Sequence, residues 1–339
     1  MAGNGTAQYS GEGVLANLAT LKNPLNVVNH PTSSDWFIVD TGNHVIRKVN
    51  SSGIITTVVG IGTAGSSGNN GSPLLAQLNS PSQIAFCPNG DMIIADTGNN
   101  AIRKVQYSSA ALNLTVTIYQ ISSANSPYGV ACDGLNNIFF SEFGAQIVNV
   151  WDYDSGITFK VAGSSSTAGY SGDGGNATAA LLNQPASLAL DAAGNLFIAD
   201  SNNNVIRKVS SVTPYSIDQI TGDIVFSDGK ISTLAGNGTA GFFGNGGQAT
   251  SAQLNIPTGV SVGVSGNVFI ADSQNHVIRM VNSSGIITTV AGMAATPGYT
   301  GDGGDPLLAS LNGPKGVWVD GSGKYFIADS GNNVVRRVV

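Results

Sequence analysis

The segment ADSNNNVIRKV, residues 199–209, decides the fold because versions of it recur along the whole chain. In each version an acidic residue follows an apolar run, a short polar turn comes next, and a second apolar run carries an arginine. The four other close copies are VDTGNHVIRKV (39–49), ADTGNNAIRKV (95–105), ADSQNHVIRMV (271–281) and ADSGNNVVRRV (328–338). A degenerate copy, SEFGAQIVNVW, occupies residues 141–151. Six repeats therefore organise the chain of 339 residues.

Each repeat has the pattern of four short β-strands. In the fourth repeat the apolar segments are PASLALD (185–191), NLFIAD (195–200), VIRKV (205–209) and KISTLAG (230–236). Gly and Asn in the intervening turns favour antiparallel connections. Six such sheets in series predict an all-β, six-bladed β-propeller of four-stranded blades, in which radial packing protects the sheet edges. We expect residues 1–339 to form one domain.

The order NLFIAD, SNNNVIRKV and ITTVAG resembles the NHL-repeat family of β-propellers. The resemblance extends over all six copies, because the order of strands, their spacing and the turn residues all recur. It implies a six-bladed propeller of the NHL type. It implies no single activity, since propellers of this family serve as binding modules, as sensor domains and occasionally as enzymes.

Three irregularities distinguish the repeats from one another. The second blade leads into Pro127 without the long loop found before the other blades, and the fourth blade carries an insertion over residues 210–229. The last repeat stops at Val339, at the end of its third strand. We expect residues 1–3 to close this blade, or the blade to remain three-stranded, or a longer parent chain to supply another ITTV-like strand.

Composition excludes several classes of function. The chain has 14 Lys and Arg against 20 Asp and Glu, with a net charge of −6, and most of the basic residues belong to the repeat itself. Nucleic-acid binding requires a basic face, so we predict no nucleic-acid partner. A bilayer span requires roughly 18 consecutive apolar residues, which the sequence lacks, so we predict no membrane span.

The cellular location is open, with a secreted or cell-surface protein favoured. The first residues, MAGNGTAQYSGEG, lack the charged and apolar regions of a signal peptide. If Met1 is an artificial start, a signal peptide would already have been removed, so its absence says little about location. Glycosylation-type triplets fit an exported protein, although several coincide with repeat turns. They begin at Asn4, Asn50, Asn113, Asn176, Asn237 and Asn282. We predict a monomer.

Two cysteines, Cys87 and Cys132, lack CxxC spacing and are too few for a disulfide framework, so we predict buried free thiols.

An acidic residue and an arginine lie seven residues apart in five repeats, as in Asp200 and Arg207. In the degenerate repeat both change together, to Glu142 and Asn149. On a hairpin this spacing brings carboxylate and guanidinium together. Because a catalytic role would need one special copy, five equivalent pairs indicate a structural role.

The long loops hold GDGG-like turns with Asp173 and Asp302, aligned with Glu12, Asn69 and Asn245. Calcium is one interpretation, since it prefers oxygen ligands in turns. Each loop, however, offers at most one carboxylate at that position, with Asp305 added in the last. We therefore expect tight glycine turns and no cofactor.

A catalytic site on a propeller is expected where the innermost strands line the central channel. The channel positions are small or neutral and include no histidine; they are Asn26/Val28, Gln83/Ala85, Gly129/Ala131, Ser187/Ala189, Gly259/Ser261 and Gly316/Trp318. The sequence has no GxSxG or HExxH motif. We predict no catalytic residue, and we expect Trp318 to fill the closure or to line the channel mouth.

The favoured function is a non-catalytic recognition or scaffold module that binds a protein or glycan partner. In a propeller, the turns between second and third strands and the long inter-blade loops open on one face. We expect that face to display amide, imidazole and aromatic groups, which suit such a partner. They are Asn43, His44, Asn99, Asn100, Asn203, Asn204, Asn275, His276, Asn332, Asn333, Tyr9, Tyr170, Phe242, Phe243 and Tyr299. The alternatives are a propeller lyase or hydrolase with its site at the channel mouth, or an architectural domain of a larger surface protein.

Overall fold

A computed structural model describes residues 1–106, 117–164, 167–213, 215–217, 224–226 and 228–339. It is all-β, and its antiparallel blades follow one another along the chain as a six-bladed propeller. The strands of blade 1 are Asn26–Asn29, Trp36–Asp40, Val45–Val49 and Ile54–Val59. Those of blade 2 are Ile84–Phe86, Met92–Asp96, Ala101–Gln106 and Thr117–Ser123. Those of blade 3 are Pro127–Cys132, Ile138–Glu142, Ile147–Trp151 and Thr158–Ala162. The strands of blade 4 are Pro185–Leu190, Leu196–Asp200, Val205–Val209 and Ile231–Ala235. Those of blade 5 are Pro257–Val262, Val268–Asp272, Val277–Val281 and Ile287–Ala291. Those of blade 6 are Gly316–Val319, Tyr325–Asp329 and Val334–Val338. These blades confirm the predicted fold class.

The apolar core lies between neighbouring blades. The second strand of each blade is almost wholly buried, as in Leu196–Asp200, because its two faces pack against the blades on either side. The innermost strands contact one another around the ring, from blade 1 through blade 6 and back to blade 1. A strand buried on both faces needs a continuous apolar run, which explains why the repeat reads LFIA rather than alternating.

The last blade is closed by the start of the chain. Ala2 forms an antiparallel bridge with Val335, with N–H···O distances of 3.1 and 2.8 Å. It occupies the position that Ala291 holds against Ile278 in blade 5. Residue 2 therefore pairs with the last blade as expected, although the sheet of that blade has three strands, which was the alternative expectation.

The insertion in blade 4 includes a small hairpin, Tyr215–Ile217 paired with Ile224–Phe226. The hydroxyl of Tyr215 donates to a carboxylate oxygen of Asp152 at 2.7 Å, so the hairpin lies against blade 3. Residue Asn113, the start of one predicted glycosylation triplet, lies outside the described residues. Within the described residues, the helices are single 3-10 turns, and none has the length and hydrophobicity needed to cross a bilayer.

Cys87 and Cys132 form a disulfide, so the prediction of free thiols was wrong. Cys87 follows the innermost strand of blade 2, and Cys132 ends that of blade 3. These strand ends lie side by side with Cα atoms 5.1 Å apart, within the range a disulfide requires. The contact joins two different repeats, and for this reason spacing within one repeat did not reveal it.

The residue before the first proline of each blade has a left-handed backbone. These residues are Asn23, Ser80, Ser126, Gln184, Ile256 and Gly313, with φ between 48° and 54°. Asn and Gly accept this conformation readily, but a β-branched residue such as Ile256, at 48°, is strained there. The repeat geometry imposes the conformation at the cost of local strain in blade 5.

We predict that reducing the disulfide lowers stability substantially. A cross-link that closes a 45-residue separation restricts the unfolded chain, and its loss costs about 3–4 kcal/mol in the chain-entropy model. Thermal unfolding with and without dithiothreitol measures the effect. The Cys87→Ser variant is the control, because reductant should not shift its midpoint further. Equal midpoints for oxidised and reduced native protein would contradict the prediction.

We predict that Ile256→Asn stabilises the protein by about 1 kcal/mol, because Asn tolerates the left-handed backbone and occupies the equivalent position 23. Urea unfolding of the two proteins gives the difference. Gln184→Asn is the matched control. It introduces Asn at an equivalent position, but the residue it replaces is flexible and unbranched, so no β-branched strain is relieved. A loss of stability in Ile256→Asn would show that packing of the isoleucine outweighs the strain.

Candidate functional site

A buried aspartate at the end of the second strand joins three parts of its blade. In blade 4, Asp200 Oδ1 accepts the backbone N–H of Asn183 at 2.7 Å, just before the first strand. Its Oδ2 accepts Asn203 Nδ2 at 2.8 Å and Arg207 Nη1 at 3.5 Å. The same three contacts recur at Asp40, Asp96, Asp272 and Asp329. The structural role predicted for the Asp–Arg pairs is confirmed.

Burial raises the pKa of these carboxyl groups. Desolvation raises the pKa of Asp40 to about 7 and that of Asp200, Asp272 and Asp329 to about 6. The hydrogen bonds from asparagine and backbone and the charge of the arginine act in the opposite direction. The carboxyls are fully buried and engaged, so they are not exposed to a substrate.

In four of the five pairs, the arginine holds the long loop that precedes its blade. In blade 4, Arg207 Nη2 donates to Ser171 O at 3.2 Å and to Asp173 Oδ1 at 2.6 Å. Equivalent contacts join Arg47 to Gly11 and Glu12, Arg103 to Ser67 and Asn69, and Arg336 to Thr300 and Asp302. The arginine is therefore a positioning group for the loop.

Blade 3 shows why the degenerate repeat differs. No long loop precedes it, because the chain passes from Ser123 directly to Pro127. Without loop carbonyls to bind, the arginine is replaced by Asn149, whose Nδ2 donates to Glu142 Oε1 at 2.6 Å. Glu142 still accepts the N–H of Asn125 at 2.7 Å, so the link to the strand entry is kept.

The loop residues considered for calcium are engaged within the protein. Asp173 accepts from Arg207 and from the N–H of Thr233, and Glu12 accepts from Arg47 and Thr57. Asn245 accepts the N–H of Thr289 at 2.6 Å. Among the described residues, no three His, Cys, Asp or Glu side chains lie together in a way that could hold a metal ion.

The turns and the long loops do meet at one end of the propeller, which we call the loop face. The asparagine three residues after each aspartate donates through Nδ2 to a loop carbonyl at 2.7 Å. These asparagines are Asn43, Asn99, Asn203, Asn275 and Asn332. The prediction that all of them are displayed was wrong, because Asn43, Asn203 and Asn275 are buried under the loops. They connect turn to loop.

The next residue of each turn is a latch between neighbouring blades. His44, Asn100, Asn204, His276 and Asn333 have left-handed backbones, and their side chains accept the N–H of the residue before the next blade's first proline. The donor–acceptor distances are 2.9–3.0 Å. Gln146 does the same for Gln184 in blade 3. Both partners recur at fixed positions of the repeat, and that recurrence is the sequence signal for this contact.

Four aromatic side chains of the loop face cover the buried arginines. Tyr9, Tyr170, Phe242 and Tyr299 place their rings 4.8–5.5 Å from the guanidinium carbons of Arg47, Arg207, Arg279 and Arg336. They keep 41–44% of their surface exposed. The hydroxyls of Tyr9 and Tyr170 also bond to Thr57 and Thr233 at 2.9 and 2.7 Å. The exposed rings are thus held rigidly.

Blade 5 differs from the other blades with a long loop. Its loop has two adjacent aromatic residues, and the second, Phe243, is 68% exposed. Beneath them, Nη2 of Arg279 is buried without a hydrogen-bond partner among the described residues. Asn245, which stands where other loops have an arginine partner, faces Thr289 instead. Phe243 is therefore the most exposed of the five predicted aromatic residues.

The central channel contains a cavity of about 320 Å³, bounded by the innermost strands. The residues lining it are uncharged, and they include Asn26, Gln83, Ser261 and Trp318. Asn26 Oδ1 accepts the N–H of Ile84, and Gln83 Nε2 donates to Leu188 O, each at 3.3 Å. Trp318 also packs 5.9 Å from Phe326, so it both lines the channel and fills the closure.

The repeats and the blades define a six-bladed β-propeller, and part of the chain is similar to an NHL domain. The model of the Teneurin NHL domain matches residues 223–300. The Arabidopsis thaliana protein SUPPRESSOR OF QUENCHING 1, chloroplastic, is 25% identical over 283 residues, which covers 78% of this chain and 25% of that protein. The chain therefore spans about a quarter of this curated relative's length.

Solved structures share the fold at low identity. An auxiliary nutrient binding protein from Bacteroides thetaiotaomicron is similar with a TM-score of 0.70 at 18% identity, over 100% of this chain and 74% of that chain. A catalytically inactive virginiamycin B lyase from Staphylococcus aureus with quinupristin has a TM-score of 0.55 at 15% identity, over 94% of this chain and 81% of that chain. The first is a binding protein and the second a lyase, so the shared fold does not distinguish binding from catalysis.

We predict that the two histidine latches make stability sensitive to acid. Burial lowers the pKa of His44 and His276, and each Nδ1 must be unprotonated to accept its N–H at 3.0 Å. This contribution is fully present above the unfolded pKa of about 6.5 and is lost as pH falls through the lower folded pKa.

The doubly substituted His44→Asn, His276→Asn protein is the comparison, because Asn fills the same position in blades 2, 4 and 6. Urea unfolding from pH 8 to pH 4 should show a steeper acid loss in the native protein. The buried aspartates titrate in both proteins, so the difference isolates the histidines. Parallel profiles would contradict the latch role.

Proposed function

We propose that this propeller is a non-catalytic recognition module that binds a protein partner through the loop face. The observation that carries the proposal is the set of exposed aromatic side chains fixed on that face, Tyr9, Tyr170, Phe242, Phe243 and Tyr299. Aromatic residues dominate the energetics of protein interfaces. Because four of them already rest on buried arginines, little conformational entropy is lost when a partner covers them.

A protein partner is favoured over a glycan because the side-chain amides of the turns already make hydrogen bonds within the protein. Glycan recognition needs free hydrogen-bonding groups beside the aromatic rings. The turn asparagines are used within the protein, either under the loops, as in Asn203, or as latches, as in Asn204. What remains on the loop face is mainly apolar ring surface with little charge, which fits the centre of a protein interface.

Binding is placed ahead of catalysis because the repeated polar groups have structural partners. The Asp, Arg and His side chains of the turns are occupied by the blade, the loop or the next blade. We propose that recognition needs no metal or cofactor and that the protein acts as a monomer. The Cys87–Cys132 disulfide supports an oxidising compartment, which fits a secreted or cell-surface location.

We predict that Phe243→Ser weakens partner binding about tenfold or more without loss of stability, because the side chain is exposed and is not stacked on an arginine. Val264→Ser is the matched control, since Val264 is 83% exposed in a turn between first and second strands, at the opposite face. Peptides selected from a displayed random library on the native protein serve as probes. Biolayer interferometry measures their Kd for the three proteins.

Dominant peptides that bind Phe243→Ser and the native protein equally would contradict the proposal. A glycan array run in parallel tests the other partner class. Glycans that bind with Phe243-dependent affinity, in the absence of any such peptide, would overturn the choice of a protein partner.

A further inference from the structure

The buried arginine of blade 5 is bonded differently from the four others. In those four, Nη2 donates to a loop carbonyl and to a side-chain oxygen of the long loop. The side chains that supply this oxygen are Glu12, Asn69, Asp173 and Asp302. Nη2 of Arg279 is buried, and within the described residues it has no hydrogen-bond partner. The guanidinium of blade 5 therefore lacks the oxygen that the other four bind.

In blade 4 the loop serves both the arginine and the fourth strand. One carboxylate oxygen of Asp173 accepts from Arg207 Nη2 at 2.6 Å, and the other accepts the N–H of Thr233 at 3.1 Å. The hydroxyl of Tyr170 bonds to Thr233 Oγ1 at 2.7 Å. Because a carboxylate has two acceptor oxygens, it satisfies the arginine and the strand at once.

In blade 5 the same loop position offers a single acceptor oxygen. Asn245 Oδ1 accepts the N–H of Thr289 at 2.6 Å and the hydroxyl of Thr289 at 3.2 Å. This hydroxyl has no tyrosine to bond, because Phe242 stands where blade 4 has Tyr170. Both lone pairs of Oδ1 are thus used by the fourth strand, and Arg279 is left without them.

The unpartnered nitrogen of Arg279 is unfavourable inside the protein. A buried donor without a partner costs free energy, and a charged one costs more than a neutral one. Asp272 gives little compensation, since its Oδ2 lies 3.5 Å from Arg279 Nη1. Burial lowers the pKa of Arg279, against the attraction of Asp272. Arginine keeps its charge in proteins, so an anionic acceptor that reaches Nη2 is favoured.

The place for such an acceptor opens on solvent. Arg279 pairs with Thr289 across the sheet as Arg207 pairs with Thr233, so the two arginines face their loops in the same register. The acids that reach the arginines of blades 1, 4 and 6 have side chains 52, 46 and 32% exposed. Asn245 is likewise exposed.

We propose that Arg279 binds a carboxylate group, which takes the place that Asp173 holds in blade 4. The ligand reaches Nη2 by displacing the side chain of Asn245, and the exposed ring of Phe243 lies in the same loop. A guanidinium fits a carboxylate in charge and in geometry. The expected source is an acidic side chain of the protein partner beside an apolar group, and in this respect the inference rests on the proposed function.

The test begins with peptides selected on the native protein from a displayed random library. We expect the dominant peptides to carry an Asp or Glu whose replacement by Asn or Gln raises the Kd about tenfold or more. The reason is the loss of a charge-assisted hydrogen bond to a buried cation. Biolayer interferometry measures the Kd of each acidic peptide and of its amide counterpart.

Asn245→Asp is the decisive variant, because it gives the loop of blade 5 the carboxylate that blade 4 has. It should bind Arg279 internally and abolish the preference for the acidic peptide over its amide counterpart. Asn69→Asp is the matched control, since Asn69 Oδ1 already accepts from Arg103 at 3.0 Å. This control adds the same charge to another loop and should keep the preference. Loss of the preference in both variants would assign it to long-range charge and overturn the proposal.

Further outcomes separate this inference from the proposed function. Peptides that need Phe243 but bind equally well in their acidic and amide forms would overturn the carboxylate site and leave the proposed function standing. If no peptide binds, the proposed function fails, and the site is tested alone with 3-phenylpropionate against 3-phenylpropionamide.

The readout for these two small molecules is the NMR signal of the Arg279 Nε–H group. A shift caused by the acid and not by the amide, and absent in Asn245→Asp, would retain the carboxylate site and assign it to a free carboxylate ligand. No shift in the native protein would overturn the proposal.

Discussion

The carboxylate at the end of each second strand is the interaction on which the rest of the structure depends. It is removed from water, and it satisfies the backbone N–H before the first strand, the amide of the turn and the guanidinium of the third strand at once. A buried charge is costly unless it is paired and hydrogen-bonded. The arginine that pairs with it then extends to the long loop, so the geometry of the loop face is set from inside the blade.

This arrangement explains the unusual composition. Charged residues are only 10% of the chain, and the repeated aspartate and arginine are buried rather than spread over the surface. A surface with few charges and many glycine turns is the result. The charge balance therefore reports mainly on internal architecture, and the proposed partner is inferred from the aromatic side chains of the loop face instead.

The fold could be predicted from the sequence because the same order of strands recurs in six repeats. The Asp–Arg pairs could be predicted because both members recur together. Contacts between repeats were harder to predict. The disulfide joins Cys87 and Cys132, which stand at different positions of their repeats. The roles of Asn203 and Asn204 were missed because neighbouring asparagines look alike in sequence, whereas one bonds to the loop and the other to the next blade.

The loop missing before blade 3 breaks the rotational symmetry of the loop face. Five loops of similar length surround the channel, and they leave a gap where Ser123 leads straight to Pro127. A ring with sixfold symmetry would present the same surface in six rotations. The gap leaves one rotation distinct, so a partner seated on this end of the propeller can bind in a single orientation.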